Sequence, residues 1–156
     1  MNRSFFVRQM QPAHDYNYAD WPDQPDFGKV ESRPKKDGYT GQWYVGTNAK
    51  QGHGRQEYGD GLYEGSWLNR KREGMGRLVY RNGDVHFGLF KNDLKARGAH
   101  LCGQTADLYI GEWNKYYRSG HGILLYGQAN ARGLQDDPGA PELKYEGHWL
   151  NDMRRG

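Results

Sequence analysis

The chain has 156 residues, of which 35% are hydrophobic and 23 are glycine, and its formal net charge is +3 at pH 7. A typical globular domain is roughly 45–50% apolar with glycine included, so this composition argues against a thick central core and for a thin sheet whose turns use glycine. The weak charge lacks the dense basic stripe of most nucleic-acid-binding proteins. The single cysteine excludes an internal disulfide framework and fits a reducing compartment.

The first 38 residues contain no internal repeat and no helix or strand period. They combine aromatic side chains with prolines and aspartates, whereas disordered segments are usually poor in aromatic residues. We therefore predict an extended, irregular N-terminal arm over residues 1–38 whose aromatic side chains bind a partner or cover the first hairpin. A disordered leader is the alternative. The candidate partner-binding residues are Phe5, Phe6, Tyr16, Tyr18, Trp21 and Phe27.

From residue 39 to residue 156 one pattern recurs: Tyr-x-Gly-x-Trp, followed by Gly-x-Gly. The units start near residues 39, 63, 86, 109 and 145, and a loop insertion at 128–143 lengthens the last interval. A period of about 23 residues indicates a repeat array. The repeated aromatic positions are Tyr39, Trp43, Tyr63, Trp67, His86, Phe90, Tyr109, Trp113, Tyr145 and Trp149. The repeated glycines are Gly41, Gly52, Gly54, Gly65, Gly74, Gly76, Gly88, Gly111, Gly120, Gly122, Gly147 and Gly156.

The unit that begins at residue 63 indicates the fold of each copy. Its Tyr-x-Gly-x-Trp stretch alternates aromatic and polar residues with period 2, which predicts a strand with one aromatic face. Residues 77–80 predict the second strand, and the polar stretch 68–74 predicts a loop of several residues between the two strands. Gly74 is expected to have a positive φ, and Gly76 is expected to leave room for a neighbouring ring.

Turn sequences at 58–61 and 81–84 connect this unit to its neighbours. The predicted fold class is therefore all-β, an elongated, twisted antiparallel ribbon of consecutive β-hairpins with the irregular arm at its N-terminus. A single hairpin is marginal in water, so stacked hairpins must bury one another's aromatic rows.

Two units depart from the pattern. In the unit from residue 86, a histidine replaces the leading tyrosine, and Arg97 and Ala99 occupy the register of the paired glycines, with Gly98 between them. In the last unit, Gly156 follows Trp149 by seven residues and ends the sequence. We predict that this unit is incomplete, with a first strand and a loop but no second strand. Either the chain continues in a longer protein, or a partner strand completes the sheet.

The repeated pattern resembles the MORN repeat (membrane occupation and recognition nexus). The stretch "YEGSWLNRKREGMGRLVYRNGDV" is close to the typical unit of that family, and the resemblance covers residues 39–156. The resemblance implies an elongated β-ribbon that acts as a scaffold. The family includes proteins of the ciliary axoneme and radial spoke, junctional membrane proteins, and modules attached to lipid kinases and methyltransferases. The repeat therefore specifies architecture better than function.

The sequence contains no catalytic signature. It has no Walker loop, dinucleotide-binding fingerprint or nucleophile elbow. His53 and His121 occupy the same slot in two repeats and are expected to be hairpin residues, and the other histidines lack the spacing of zinc ligands. We therefore predict a protein that is not an enzyme and has no cofactor, metal site or small-molecule substrate.

The expected function is a structural scaffold or interaction protein in a large cytoskeletal assembly. The resemblance favours a cytoplasmic location in the axoneme of a cilium or flagellum, with other proteins of the assembly as partners and no nucleic acid. One alternative is a peripheral membrane or lipid-binding module, although the basic clusters at 33–36 and 69–73 are short for that role. The other alternative is a regulatory module of a larger enzyme.

Overall fold

The computed structural model describes residues 24–127 and 143–156, which form one antiparallel sheet of eleven strands. Each strand pairs with the strands that precede and follow it in the chain, so the order in space is the order in sequence. This topology confirms the predicted all-β ribbon of consecutive hairpins. The strands are β1 Val30–Lys36, β2 Tyr39–Tyr44, β3 Lys50–Tyr58, β4 Gly61–Leu68, β5 Lys71–Tyr80, β6 Val85–Lys91, β7 Leu94–Leu101, β8 Leu108–Asn114, β9 Tyr117–Leu125, β10 Lys144–Leu150 and β11 Met153–Arg155.

The ribbon begins earlier than the sequence pattern indicates. Strand β1 lies within the segment assigned to the arm, and it pairs with β2 from Val30 opposite Tyr44 to Lys36 opposite Tyr39. Its sequence lacks the Tyr-x-Gly-x-Trp signature and contains Pro34, which is tolerated here because β1 is an edge strand with a register shift between Arg33 and Lys36. The arm proper therefore ends before residue 30. In the described part of the chain, no helix is long and apolar enough to cross a membrane.

The hairpin connection is shorter than the predicted loop at 68–74. Strand β4 continues to Leu68 and β5 begins at Lys71, so only Asn69 and Arg70 connect them, with φ values of 49° and 69°. Positive φ at both central residues is the mark of a type I′ turn, which matches the twist of a hairpin. The prediction failed because the turn contains no glycine, while asparagine also adopts the left-handed conformation.

The remaining residues of the predicted loop form a bulge inside β5. Trp67 pairs with Arg72 and Gly65 pairs with Gly76, so the second strand holds more residues than the first between these pairs. Gly74 lies in this bulge with a φ of 85°, as predicted. A bulge bends the strand and increases its twist, and a register shift recurs at the equivalent place in the first, third and fourth units.

The glycines form one continuous row across nine strands. Each glycine of the row is the cross-strand partner of the next. The predicted register of the irregular unit is corrected here: Gly98, not Arg97 or Ala99, joins the row, because its bulge is one residue shorter. The row consists of Gly41, Gly54, Gly65, Gly76, Gly88, Gly98, Gly111, Gly122 and Gly147.

The last unit contains more of its hairpin than predicted. A tight turn at Asn151 and Asp152 replaces the expected loop, and Met153–Arg155 then pair with β10. The second strand therefore begins within the chain, with three residues where the corresponding strand β9 has nine.

Side chains alternate between two faces of the ribbon. We call the face that carries the repeated tyrosines and tryptophans the aromatic face. The opposite face carries an apolar cluster from β5 to β9. This cluster has as its buried members Met75, Phe87, Ala99, Leu108 and Leu125.

Candidate functional site

The leading tyrosine of each regular unit lies across the glycine row. The Tyr63 hydroxyl donates a hydrogen bond to the carbonyl of Ser66, 3.0 Å away. A Cβ on Gly76 would lie 2.5 Å from Cζ of Tyr63, so only glycine leaves space for the ring there. The hydroxyl bond therefore holds the ring against its own strand, opposite the bulge in β5. The equivalent bonds join Tyr39 to Gln42 at 2.8 Å, Tyr109 to Glu112 at 3.0 Å and Tyr145 to His148 at 3.2 Å.

The second aromatic of each unit connects neighbouring hairpins. Trp67 meets Tyr63 of its own unit edge to face at 5.2 Å and Tyr39 of the preceding unit at 5.4 Å. Its Nε1–H donates to the carbonyl of Gly54, and only 2% of the residue is exposed. Edge-to-face pairs at these distances are favourable beyond their buried area. The ribbon is therefore held together by a continuous stack of rings along its length.

The aromatic face also carries a row of cations that sequence analysis missed. In each unit a lysine or arginine on the second strand is the cross-strand partner of the second aromatic residue. The signal in the sequence is a basic residue five positions after that aromatic, or seven in the first unit. We call these residues the cation row. The cation row consists of Lys50, Arg72, Lys95, Arg118 and Arg154.

Members of the cation row lie over the rings of the aromatic stack. Lys50 Nζ is 5.0 Å from the Trp67 ring centroid, and the Arg118 guanidinium is 4.3 Å from that of Trp149. Lys95 Nζ is 4.6 Å from the Trp113 centroid. Cations at these distances are attracted by the ring quadrupole. The face thus alternates rings and positive charges.

Two members of the row are neutralised by an aspartate in the following hairpin turn. The backbone N–H of Arg72 donates to Asp93 Oδ1 at 2.8 Å, and its guanidinium donates to the Asp93 carbonyl at 2.7 Å. Arg118 makes the same contacts with Asp152, with both its N–H and its Nε–H 2.9 Å from Oδ1. The turn aspartate therefore orders the cation and joins adjacent hairpins.

The other turns lack this aspartate. Arg70 occupies its position beside Lys50, whose amine instead bonds to the side chain of Gln56. The turn beyond Lys95 is formed by Lys115 and Tyr116, and within the described residues the Lys95 amine has no hydrogen-bond acceptor or carboxylate partner. Lys95 is thus a cation of the row without a counter-ion.

Replacing Arg70 with aspartate is expected to raise the free energy of unfolding by about 0.5–1 kcal/mol. The new carboxylate would meet the Lys50 amine as Asp93 meets Arg72, and aspartate tolerates the positive φ of this position. Urea denaturation followed by tryptophan fluorescence measures the change. Arg70→Ala is the control, and an equal gain in that variant would show that loss of the arginine charge, not a new ion pair, is responsible.

The centre of the aromatic face departs from the regular pattern. His86 replaces the tyrosine and is fully buried, with its ring 5.6 Å from that of Phe90 and 5.3 Å from that of Trp113. Neither ring nitrogen of His86 has a hydrogen-bond partner. Burial, with a smaller contribution from the charge of Lys95, holds the pKa of His86 well below its usual value. The ring is therefore neutral and acts as part of the stack.

The stability of the ribbon is expected to fall as the pH decreases from 7 to 5. The unfolded chain protonates His86 near pH 6.5, whereas the folded chain, with its lowered pKa, does not, so unfolding takes up a proton below that pH. One proton changes the free energy by about 1.4 kcal/mol per pH unit. His86→Phe should reduce this slope in denaturation experiments at pH 5, 6 and 7, with the exposed His148→Phe as the matched control. An unchanged slope in His86→Phe would contradict the assignment.

A groove of about 510 Å³ opens on the aromatic face beside Lys95. Burial, with a smaller contribution from the charge of the nearby Arg72, lowers the Lys95 pKa to about 8. A second hollow of about 470 Å³ lies on the other side of Lys95 and shares Tyr116, which is 74% exposed. We call the first hollow the Lys95 groove. Its walls include Tyr58, Leu78, Tyr80, Phe90, Lys95 and Tyr116.

The structure places one of the predicted arm residues on the ribbon. The Phe27 ring meets His53 edge to face at 5.1 Å, and the Gln51 side chain donates to the Phe27 carbonyl at 2.6 Å. Both β3 partners lie on the face opposite the aromatic face, so Phe27 covers the first hairpin there. The other candidates, and most of the insertion at 128–143, lie outside the described residues. Those candidates are Phe5, Phe6, Tyr16, Tyr18 and Trp21.

Across residues 24–127 and 143–156, no group of three or more histidine, cysteine, aspartate or glutamate side chains is placed to hold a metal ion. His53 forms a hydrogen bond with Gln24, and the His121 ring contacts the His148 ring. The two histidines at equivalent positions of the repeat therefore make different contacts, each within its own part of the ribbon.

Comparison with known proteins identifies the same repeat. The sequence model of the MORN repeat matches residues 63–85, 109–128 and 145–156. The units from residues 39 and 86, which lie outside these matches, have the same hairpin and glycine register in the structure. The chain is also 25% identical over 150 residues to Alsin of Homo sapiens and of Mus musculus, a match that covers 92% of the chain. The chain spans about 8% of the length of these relatives.

Proposed function

Because the chain is a MORN-repeat protein, we propose that it is a non-enzymatic scaffold that binds protein partners through its aromatic face. The observation that carries this proposal is the combination of exposed tyrosines and cations along one groove. Tyr58 is 43% exposed and Tyr116 is 74% exposed, and both flank Lys95. Tyrosine, tryptophan and arginine are enriched at protein interfaces and supply much of their binding energy.

We test the binding face with a photo-cross-linking amino acid placed in the intact chain. Substitution at Tyr58 and at Tyr116 places the probe on the aromatic face, and substitution at the exposed Arg55 and Glu112 places it on the opposite face. Specific protein adducts are expected from the first pair and not from the second. Equal adducts from both faces, or none from the aromatic face, would contradict the proposal.

We further propose that the scaffold belongs to a large cytoskeletal assembly and, more specifically, to the axoneme of a cilium or flagellum. The family resemblance supports this location. A fluorescently tagged copy expressed in a ciliated cell should concentrate along the axoneme and persist there after detergent extraction. A tagged copy that never enters the cilium would end the axoneme assignment.

The N-terminal arm is proposed as a second contact with the assembly. Its aromatic content supports the proposal, and Phe27 shows that the end of the arm is fixed to the ribbon. Replacing Trp21 with alanine should weaken incorporation into the assembly while leaving the circular dichroism of the sheet intact. The Phe27→Ala variant separates the two roles, because it removes a contact with the ribbon itself. Unchanged incorporation of Trp21→Ala would leave the arm without a binding role.

A role as a module of a larger protein is the second candidate. Its support is the match to Alsin, in which the similar segment is a small part of a long chain. The intact mass of the native protein tests it, since a value near 18.0 kDa would exclude it.

A further inference from the structure

We propose that the Lys95 groove binds an acidic segment of a protein partner, with a carboxylate of that segment paired to Lys95 and an adjacent apolar side chain in the groove. This inference rests on the proposed scaffold function and specifies the chemistry of its partner.

The first argument is the missing counter-ion. Arg72 and Arg118, which precede and follow Lys95 in the cation row, each contact a turn aspartate. Lys95 lies against the rings of Tyr80 and Trp113 at 5.3 and 4.6 Å, with no carboxylate partner among the described residues. The rings attract the amine, but its burial without an anion removes hydration that the rings replace only in part. A carboxylate from another molecule would supply the contact that the neighbouring units make internally.

The second argument is that other polar atoms beside Lys95 also lack partners. Trp67 and Trp149 donate their Nε1–H to a backbone carbonyl, but the buried Nε1 of Trp113, which lines the second hollow beside Lys95, has no acceptor, as is also the case for Trp43 in the first unit. Beneath Trp113, both nitrogens of the fully buried His86 are without hydrogen bonds. The neutral His86 ring has one donor and one acceptor nitrogen, so the donors in excess beside Lys95 are its own amine and the Trp113 Nε1–H. An ionised carboxylate, which only accepts hydrogen bonds, matches this set.

The third argument is the shape of the hollow. A volume of about 510 Å³ lies within the range of small-ligand pockets, roughly 300–1,000 Å³, and holds one or two side chains. Its lining extends from Tyr58 on β3 to Tyr116 after β8, which is five strand spacings or about 24 Å. An extended segment of about seven residues would cover that length at about 3.4 Å per residue. Leu78, Tyr80 and Phe90 supply apolar walls for side chains beside the carboxylate.

The charges around the groove favour a peptide over a lipid surface. Arg72 is already engaged by Asp93, and Asp60 adds a negative charge at one end of the groove. Lys95, with Lys115 at the rim, leaves a small positive excess. Recognition of lipid phosphates usually requires about four to eight clustered basic residues. One uncompensated cation between apolar walls fits one carboxylate with apolar neighbours.

The test selects random twelve-residue peptides displayed on phage against the whole chain and against its Lys95→Met variant. Peptides retained by the wild type are expected to contain aspartate or glutamate flanked by apolar residues. Their affinity should fall at least tenfold in Lys95→Met, and also when the acidic residue is changed to its amide. The matched control is Lys144→Met, which removes the same charge from the opposite face. Circular dichroism verifies that each variant is folded.

A second measurement follows the pKa of Lys95 when a peptide binds. Binding of a selected peptide should raise the Lys95 pKa from about 8 toward its usual 10.5, measured by NMR of the side-chain amine. An unchanged pKa would overturn the ion pair. Failure to select acidic peptides, or equal binding by Lys95→Met, would also overturn the inference. The same applies if phosphatidylserine vesicles bind in a Lys95-dependent way while no peptide does. In each case cross-linking from Tyr58 and Tyr116 still decides separately whether the face binds proteins.

Discussion

The variant Gly76→Ala is expected to lose about 3 kcal/mol or more of its free energy of unfolding. The added methyl group would lie 2.5 Å from Cζ of Tyr63, whose ring is fully buried and cannot move aside. Displacing that ring would also break the hydrogen bond from its hydroxyl to Ser66, which adds about 1 kcal/mol. Urea denaturation monitored by circular dichroism and tryptophan fluorescence measures the loss.

Gly59→Ala is the matched control for this experiment. Gly59 lies in the turn before β4, and a Cβ there would have no neighbour within 4 Å. We expect a change within about 0.5 kcal/mol, as for most exposed substitutions. If Gly76→Ala were as stable as Gly59→Ala, the close approach of Tyr63 would not be the reason that this position requires glycine.

The period of the sequence is sufficient to predict the sheet because the first strand of each unit carries the aromatic residues and each strand from β2 to β10 contributes a glycine to the row. Tyr63, Gly65 and Trp67 show a period of 2 that no helix would produce. The same signal fails at Val30–Lys36, where no aromatic or glycine marks the strand and pairing alone defines it. Edge strands are short of contacts, so their sequences carry less of the pattern.

The lengths of the turn and of the bulge were harder to predict, because a shorter turn can be offset by a longer bulge without changing the spacing of the repeat. Asn69 and Arg70 turn the chain in two residues, and the bulge at Gly74 takes up the rest of the stretch. A count of residues between the two strands gives only their sum. The shorter bulge before Gly98 shows the same ambiguity, since it shifts the register by one residue.

The candidate site depends on register and therefore could not be located from the sequence alone. Basic residues five positions after an aromatic are visible along the chain, but only the bulge places them opposite that ring. The lack of a turn aspartate paired with Lys95 becomes meaningful only when Asp93 and Asp152 are seen to contact Arg72 and Arg118. The sequence shows that His86 replaces a tyrosine, but it does not show that the ring is buried, because the burial depends on Trp113 packing against it.

Trp67→Ala and Trp113→Ala should differ in their effects although they change the same position of the repeat. Trp67 is 2% exposed, contacts two tyrosine rings and donates to Gly54, so its loss is expected to cost about 3–5 kcal/mol. Trp113 is only partly buried and its Nε1–H has no acceptor, so we expect a cost of less than half that value.

The comparison also tests the idea that the centre of the aromatic face is shaped for binding. If Trp113 is retained for a partner, Trp113→Ala should reduce binding of the selected acidic peptides at least tenfold while the chain remains folded. Trp67→Ala should instead broaden or lower the unfolding transition, because it interrupts the stack between neighbouring hairpins. Equal losses of stability in the two variants would show that Trp113 is as important to the stack as Trp67. The unpaired donors beside Lys95 would then be a tolerated irregularity of the third and fourth units and would not indicate a site.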